Sequence, residues 1–303
     1  MSLDADYIVD RRALKRRLLF WRLFAVLSLT IVAVVVALRF EKPEFGDYVA
    51  RLYVSGIIIE DTDRDQALSK LAGNARARAL VIRIDSPGGT VVGGESLYRS
   101  LRAIALKKPV VAVMGTTATS AAYMTAIAAD HIVAREGSIT GSIGVLMQTA
   151  NITGLLEKLG IAPETIKSGP LKAQPNPFEP TSPAARQAIQ DVVMDMHAMF
   201  VDLVAERRGM ARESALQLAD GRIYTGRQAL TLGLIDTLGG EEKARTWLAK
   251  TGDVSADLPV HDVVIGREAA TWQKYFTGMV GKTLFSERLR LDGLISLWQP
   301  ESW

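Results

Sequence analysis

The chain has no cysteine. Disulfides, thiolate catalysis and zinc–thiolate sites are therefore excluded, while the redox compartment stays open. Histidine is scarce: His131, His197 and His261 are all that 303 residues contain. There is no internal repeat and no low-complexity linker. No basic stripe interleaved with aromatics marks a nucleic-acid surface. Most of the chain also lacks an excess of either charge. The formal net charge is +3. Residues 1–22 carry all of it, with Arg11, Arg12, Lys15, Arg16, Arg17 and Arg22 set against Asp4, Asp6 and Asp10.

What is present begins with a long apolar run. Leu18 to Leu38 is interrupted only by Arg22. A helix needs about 20 apolar residues to cross the hydrocarbon core. Arg22 lies one turn from the end and can snorkel to the headgroups. No clean small-x-small cleavage site precedes Arg39-Phe40, so the run reads as an uncleaved anchor and not as a signal peptide. The basic flank stays on the cytoplasmic side. Everything after Glu41-Lys42-Pro43 then faces the periplasm or the exterior.

Hydrophobic residues make up 48% of the chain, enough for one large domain or two modest ones. Apolar runs at 48–59, 79–84 and 109–114 read as buried strands. Helical patterns lie between them at 64–71 and 94–105. Alternating strands and helices imply parallel βαβ units. Ser182-Pro183 is an N-cap with proline at N1, and apolar residues then keep helical period to Gly209. Residues 239–250 read as a further helix. The tail from Arg267 is amphipathic, with Trp272, Tyr275, Phe276, Met279 and Val280 on one face.

Two segments carry chemistry. Asp85-Ser86-Pro87-Gly88-Gly89-Thr90 follows a strand and precedes a helix. Pro-Gly-Gly is expected to end the strand in a tight turn whose N–H groups could hold an anion or oxyanion. Ser120 sits among small residues, after the strand ending at Met114 and before an Ala- and Met-containing helix expected to run about ten residues. That is where ligands bind in open α/β sheets. In isolation, though, Ser120 reads as a helix N-cap.

A serine nucleophile needs a base. His131 closes the helix that Ser120 opens, so it points away; His197 and His261 have no evident claim. A lysine is the better candidate, provided burial or a neighbouring cation favours its neutral form. The residues leave both Lys167 and Lys172 open.

Together these segments resemble the signal peptide peptidase A family, peptidase family S49, in its short single-repeat form. The resemblance rests on Asp85–Gly89, Ser120–Asp130, Thr140–Val145, Ile166–Phe178 and Ala219–Asp236, and spans roughly 47–250 plus the anchor. It implies a ClpP/crotonase-like α/β spiral of βαβ units with a helical C-terminal part. It implies Ser120 as nucleophile, Lys172 as general base, Ser142 as the residue orienting the lysine, and Gly89 and Ala121 N–H groups as the oxyanion hole. Two positions depart from the family pattern. Ser120-Ala121-Ala122 replaces Ser-Gly-Gly, which is expected to narrow the adjoining pocket, and Pro170-Leu171 and Ala173 flank the lysine. The implied layout is a cytoplasmic tail (1–17), an anchor (18–38), a linker (39–46), a peptidase domain (47–260) and an amphipathic segment (261–303).

The resemblance further implies a single-pass protein of the bacterial inner membrane that cleaves residual signal peptides, and misfolded exported proteins, through an acyl-enzyme. It implies a dome-shaped homo-oligomeric ring, with serine and lysine contributed by adjacent subunits, and no cofactor, metal or nucleic-acid partner. Two other classes stay open: a crotonase-like acyl-CoA enzyme and a non-catalytic membrane scaffold.

Overall fold

The computed structural model describes residues 17–31, 46–251, 254–266 and 295–297. Two compact units divide at Gly46 and Asp47. In the first, residues 17–31 form helix α1. Residues 32–38 of the expected anchor lie outside the described residues, as do the basic tail and most of the C-terminal amphipathic segment. Among the described residues, no helix is long and apolar enough to cross a membrane.

The second unit is built on a mainly parallel sheet. Its elements are β1 (Tyr48–Ile58), α2 (Thr62–Gly73), β2 (Ala77–Thr90), α3 (Val91–Ala105), β3 (Val110–Thr119), α4 (Ala121–Ala126), β4 (His131–Ala134) and β5 (Ile139–Gly141). After α5 (Thr153–Lys158) come α6 (Pro183–Arg208), α7 (Arg212–Leu218), β6 (Ile223–Thr225), α8 (Gly226–Thr231), β7 (Thr237–Leu238), α9 (Glu241–Thr251), β8 (Val260–Asp262) and β9 (Ile295–Leu297). The strand order is β6-β5-β3-β2-β1-β8, with β4 beside β3 and β7, and β9 beside β2. Among the described residues, only β5–β6 and β2–β9 pair antiparallel. The alternating βαβ order expected from sequence is the one observed.

Both faces of the sheet are covered. In β1 to β3, residues Leu52, Leu80, Ile82 and Met114 point to one core with α3, α4 and α6. Their neighbours Val49, Val81, Val111 and Val113 point to the other core with Ala244 and Leu248 of α9. Side chains alternate across a strand, so a strand buried on both faces reads as a continuous apolar run. Each fully buried Leu or Ile contributes roughly 1.5–3 kcal/mol of transfer free energy.

Two strands run further than expected. β2 continues through Pro87-Gly88-Gly89 to Thr90. A bulge absorbs the proline: Ser55 pairs with Asp85 and Ile57 with Gly88, and Gly88 takes φ 114°. The bulge lets a residue without an N–H sit in a strand without losing the ladder beyond it. β3 likewise passes Met114 and ends at Thr119. Helix α4 is accordingly short, six residues instead of about ten.

The long helix starts as its cap predicts. Ser182 accepts from Ala185 N, Pro183 fills the first turn, and Gly209 closes the helix at φ 60°. Its C-terminal half buries Phe200, Val201 and Val204. Arg207 donates to Ile127 O and Ala129 O at 2.9 Å each, fixing α6 to the end of α4.

Candidate active site

The extended ends of β2 and β3 lie side by side. Ser86 pairs with Ala118, and Thr119 Oγ1 donates to Pro87 O at 3.0 Å. Thr140 of β5 donates its hydroxyl to Ala118 O at 2.8 Å. Ser138 holds Gly115 O at 2.6 Å, and Thr117 N–H donates to Asp85 at 3.0 Å. Side chains thus reinforce the strand ends where the β2–β3 register shifts. Gly89 is required here: a Cβ on it would stand 1.8 Å from Ile58 O.

Ser120 occupies the turn between β3 and α4, at φ 58° and ψ −124°. A non-glycine residue in that region stores roughly 1–3 kcal/mol of strain. Its N–H donates to Gly141 O at 2.9 Å, which holds the turn. Ser120 stands at the N-cap position of α4, but its side chain makes no capping hydrogen bond. The cap reading of this serine is therefore corrected. The geometry is instead that of a sharp strand–serine–helix elbow, which lifts a hydroxyl off the end of a sheet.

Helix α4 is wholly buried. Tyr123 donates to Leu234 O at 2.9 Å, and burial pushes its phenol pKa up, so it stays a neutral donor. Ala121 packs against α3, where a Cβ on Gly94 would stand 2.9 Å from the Ala121 methyl. That methyl enters the core and is not among the groups lining the cleft beside Ser120. The expected narrowing of the pocket by Ala121 and Ala122 is not found, because α3 makes room with a glycine.

Ser120 and Ser142 line one open cleft of about 680 Å³. Its walls include Leu146 and Met147 on one side and Ile189, Val193 and Met194 of α6 on the other. Ser142 is itself in a left-handed conformation, φ 49°, with its N–H on Arg222 O at 2.8 Å. Gly89 lies within β2, paired with Ile58 of β1 and Ser296 of β9, and Ala121 follows Ser120 as the first residue of α4.

The histidines divide. His131 pairs with Val111 at the start of β3, while Ser120 follows its end. Eight strand steps put them roughly 26 Å apart, and His131 is excluded as the base. His197 was passed over in the sequence, yet it lines the cleft with Ser120. Its Nε2 lies 2.8 Å from Ala219 O. The apolar period of α6 hides it, since Ile189, Val193 and His197 line the cleft whereas Phe200, Val201 and Val204 enter the core.

The two lysines also part. Lys167 is ion-paired with Glu179, which also accepts from Asn176. The Lys167 ammonium, followed by Asn176, holds the Glu179 carboxyl below the usual range. Lys167 is thereby engaged in an ion pair of its own loop. Lys172 is exposed on the loop after α5 and does not line the cleft of its own chain. From Gly144 to Ala184 no residue is buried, and Leu155, Leu159, Ile161, Ile166 and Phe178 are all at least half exposed. No cluster of three or more metal-ligating side chains is present among the described residues.

The family model for peptidase family S49 matches residues 102–255, which include Ser120, Ser142 and Lys172. The chain belongs to peptidase family S49. A Synechocystis relative named as a protease is 41% identical over 71% of this chain and 78% of its own. An Enterococcus faecium relative named as a signal peptide peptidase SppA is 34% identical over 67% of this chain and 63% of its own. Among solved structures, the 1510-N membrane-bound stomatin-specific protease covers 73% of this S49 chain at 15% identity, with a TM-score of 0.48.

Proposed function

We propose that this S49 peptidase is a membrane-anchored serine endopeptidase working through a Ser120–Lys172 dyad on residual signal peptides. The observation that carries the reading is the backbone of Ser120: a serine in a strained conformation, between a strand and a helix, on the wall of a cleft lined by polar and apolar groups alike. Strain of this kind concentrates where a side chain must be aimed.

In the proposed reaction, neutral Lys172 takes the Ser120 hydroxyl proton and Oγ bonds to a peptide carbonyl carbon. The carbonyl oxygen becomes an oxyanion, held by the N–H groups of Gly89 and Ala121. The C–N bond breaks, and the lysine returns its proton to the leaving amine. A water, deprotonated by the lysine, then hydrolyses the ester and restores Ser120. Ser142 orients the lysine. Leu146, Met147, Val193 and Met194 would receive apolar substrate side chains, as signal peptides supply.

Lys172 reaches Ser120 in this reading from a neighbouring subunit of a ClpP/crotonase-type ring. The exposed apolar side chains around it support this, since monomers seldom leave so much apolar surface uncovered. Residues 18–38 would anchor the 47–260 peptidase domain on the outer side of the bacterial inner membrane. Ser120→Ala and Lys172→Ala should each abolish hydrolysis of apolar peptide esters. Mixed and reassembled, the two inactive proteins should regain activity; no recovery would place the base within one chain.

A second reading has one observation in its favour: His197 lines the cleft with Ser120. With Nε2 donating to Ala219 O, Nδ1 could accept the serine proton. Loss of activity in His197→Gln, with Lys172→Ala still active, would move the base to His197. Covalent labelling of Ser120 by a fluorophosphonate separates both readings from an acyl-CoA enzyme or a scaffold, neither of which needs a reactive serine.

A further inference from the structure

β1, β2 and β3 are parallel, so their starts share one end of the sheet and Ser120 follows the other. The starting end gathers cations. Arg76 and Arg78 open β2, Lys107 and Lys108 precede β3, and Lys70 closes α2. Contacts tie these groups together: Lys108 Nζ donates to Leu71 O at 2.9 Å and to Asn74 O at 2.8 Å, and Asn74 donates to the Tyr48 hydroxyl at 3.0 Å. Burial, followed by the nearby charges of Lys107 and Arg78, lowers the Lys108 pKa. Of the acids at this end, Asp47 lies 3.7 Å from Arg78 and Asp130 lies 3.4 Å from Arg102, while Asp257, just before β8, is exposed.

Two further features sit among these cations. An open recess of about 390 Å³ is lined by Arg78, Lys107, Lys108 and the segment Ala72–Ala75, a charge suited to an anionic headgroup. Leu106, beside Lys107, is 80% exposed at the tip after α3. An exposed apolar side chain beside cations matches a membrane interface, where the apolar group enters the acyl boundary and the cations stay with the headgroups.

The chain enters the domain at this same end, where Tyr48 N–H bonds Arg76 O at 2.9 Å. We propose that this end of the domain is a membrane-contact surface for anionic phospholipid, with Arg76, Arg78 and Lys107 on the lipid phosphates and Leu106 inserted between them. The proposal rests on the reading of residues 18–38 as an anchor.

The absence of cysteine makes the test direct, because Leu106→Cys creates a single labelling site. The full chain, carrying an environment-sensitive dye there, is reconstituted into phosphatidylglycerol-containing vesicles and into pure phosphatidylcholine vesicles. The dye should blue-shift and be quenched by brominated lipid only with phosphatidylglycerol, and the signal should fade with added salt. Arg76→Glu and Lys107→Glu should each weaken the contact by about fivefold or more, since a cation at an anionic surface contributes about 1 kcal/mol. Lys108 is left intact because it holds the end of α2. Arg227→Glu, on α8, should change nothing. A chain that floats with the vesicles while its dye stays in water overturns the proposal, as does equal loss with Arg227→Glu. A chain that floats with neither vesicle overturns the anchor, and the contact surface with it.

Discussion

The backbone of Ser120 holds a conformation that glycine tolerates and serine does not. Two substitutions separate its chemistry from its strain. Ser120→Ala keeps the Cβ and the strain, so it should be inactive with stability close to that of the parent. Ser120→Gly removes the clash, which is worth roughly 1–3 kcal/mol, at an entropic cost of about 0.5–1 kcal/mol. It should be equally inactive yet more stable by about 1 kcal/mol in urea unfolding. A glycine variant no more stable than the alanine variant would remove strain from the account. None of this is legible at Ser120 itself, where small neighbours and a following helix describe a cap equally well. The decisive constraint is the Gly141 carbonyl, which comes from a strand formed later in the chain. His197 escaped notice for a related reason: a histidine on an apolar helical stripe does not say which half of that stripe faces a cleft.

Elements were more legible than their ends. The cap at Ser182, the period of α6 and the apolar runs of β1 to β3 follow from local sequence and appear where expected. The extensions of β2 and β3 do not. Proline and two glycines argue against a strand, and only a bulge with lateral bonds from Thr119 and Thr140 overrules them. The junction of α3 and α4 shows how the nucleophile helix is seated. Gly94 leaves room for the Ala121 methyl, whose own N–H is a proposed oxyanion donor. In Gly94→Ala, helix propensity would gain about 1 kcal/mol. Overpacking of two Cβ atoms fixed to opposing helices costs typically 1–3 kcal/mol. Neither atom can escape by changing rotamer, so the clash should win. The variant should lose about 1 kcal/mol of stability, and kcat should fall with little change in KM. The swap Gly94→Ala with Ala121→Gly should restore both; failure of the swap would locate the defect elsewhere.

At the scale of the whole molecule, distant parts meet at His131. Its Nε2 lies 2.8 Å from the Thr237 hydroxyl, and its ring stacks on Trp247 of α9 at 4.9 Å. Burial, with a smaller contribution from the Arg208 charge, lowers its pKa against the opposing pull of Asp236. The unfolded chain therefore binds this proton more readily than the folded one, and stability rises with pH through the window. The contribution is complete above the ordinary value of 6.5 and is lost as pH falls through the depressed folded value. His131→Phe keeps the stacking and removes the proton. Its Tm should fall less than the parent's between about pH 7 and about pH 5, and parallel curves would deny His131 this role.

The stretch from Gly144 to Ala184 has a consequence in time as well as in space. With no buried residue of its own, it has little to lose on opening. Segments of this kind exchange their amide hydrogens through small local fluctuations, while strands such as β1 to β3 wait for the whole fold to open. One chain therefore has two lifetimes, a long one under Ser120 and a short one under Lys172. Contact with a second copy, as proposed above, would bring the second up toward the first.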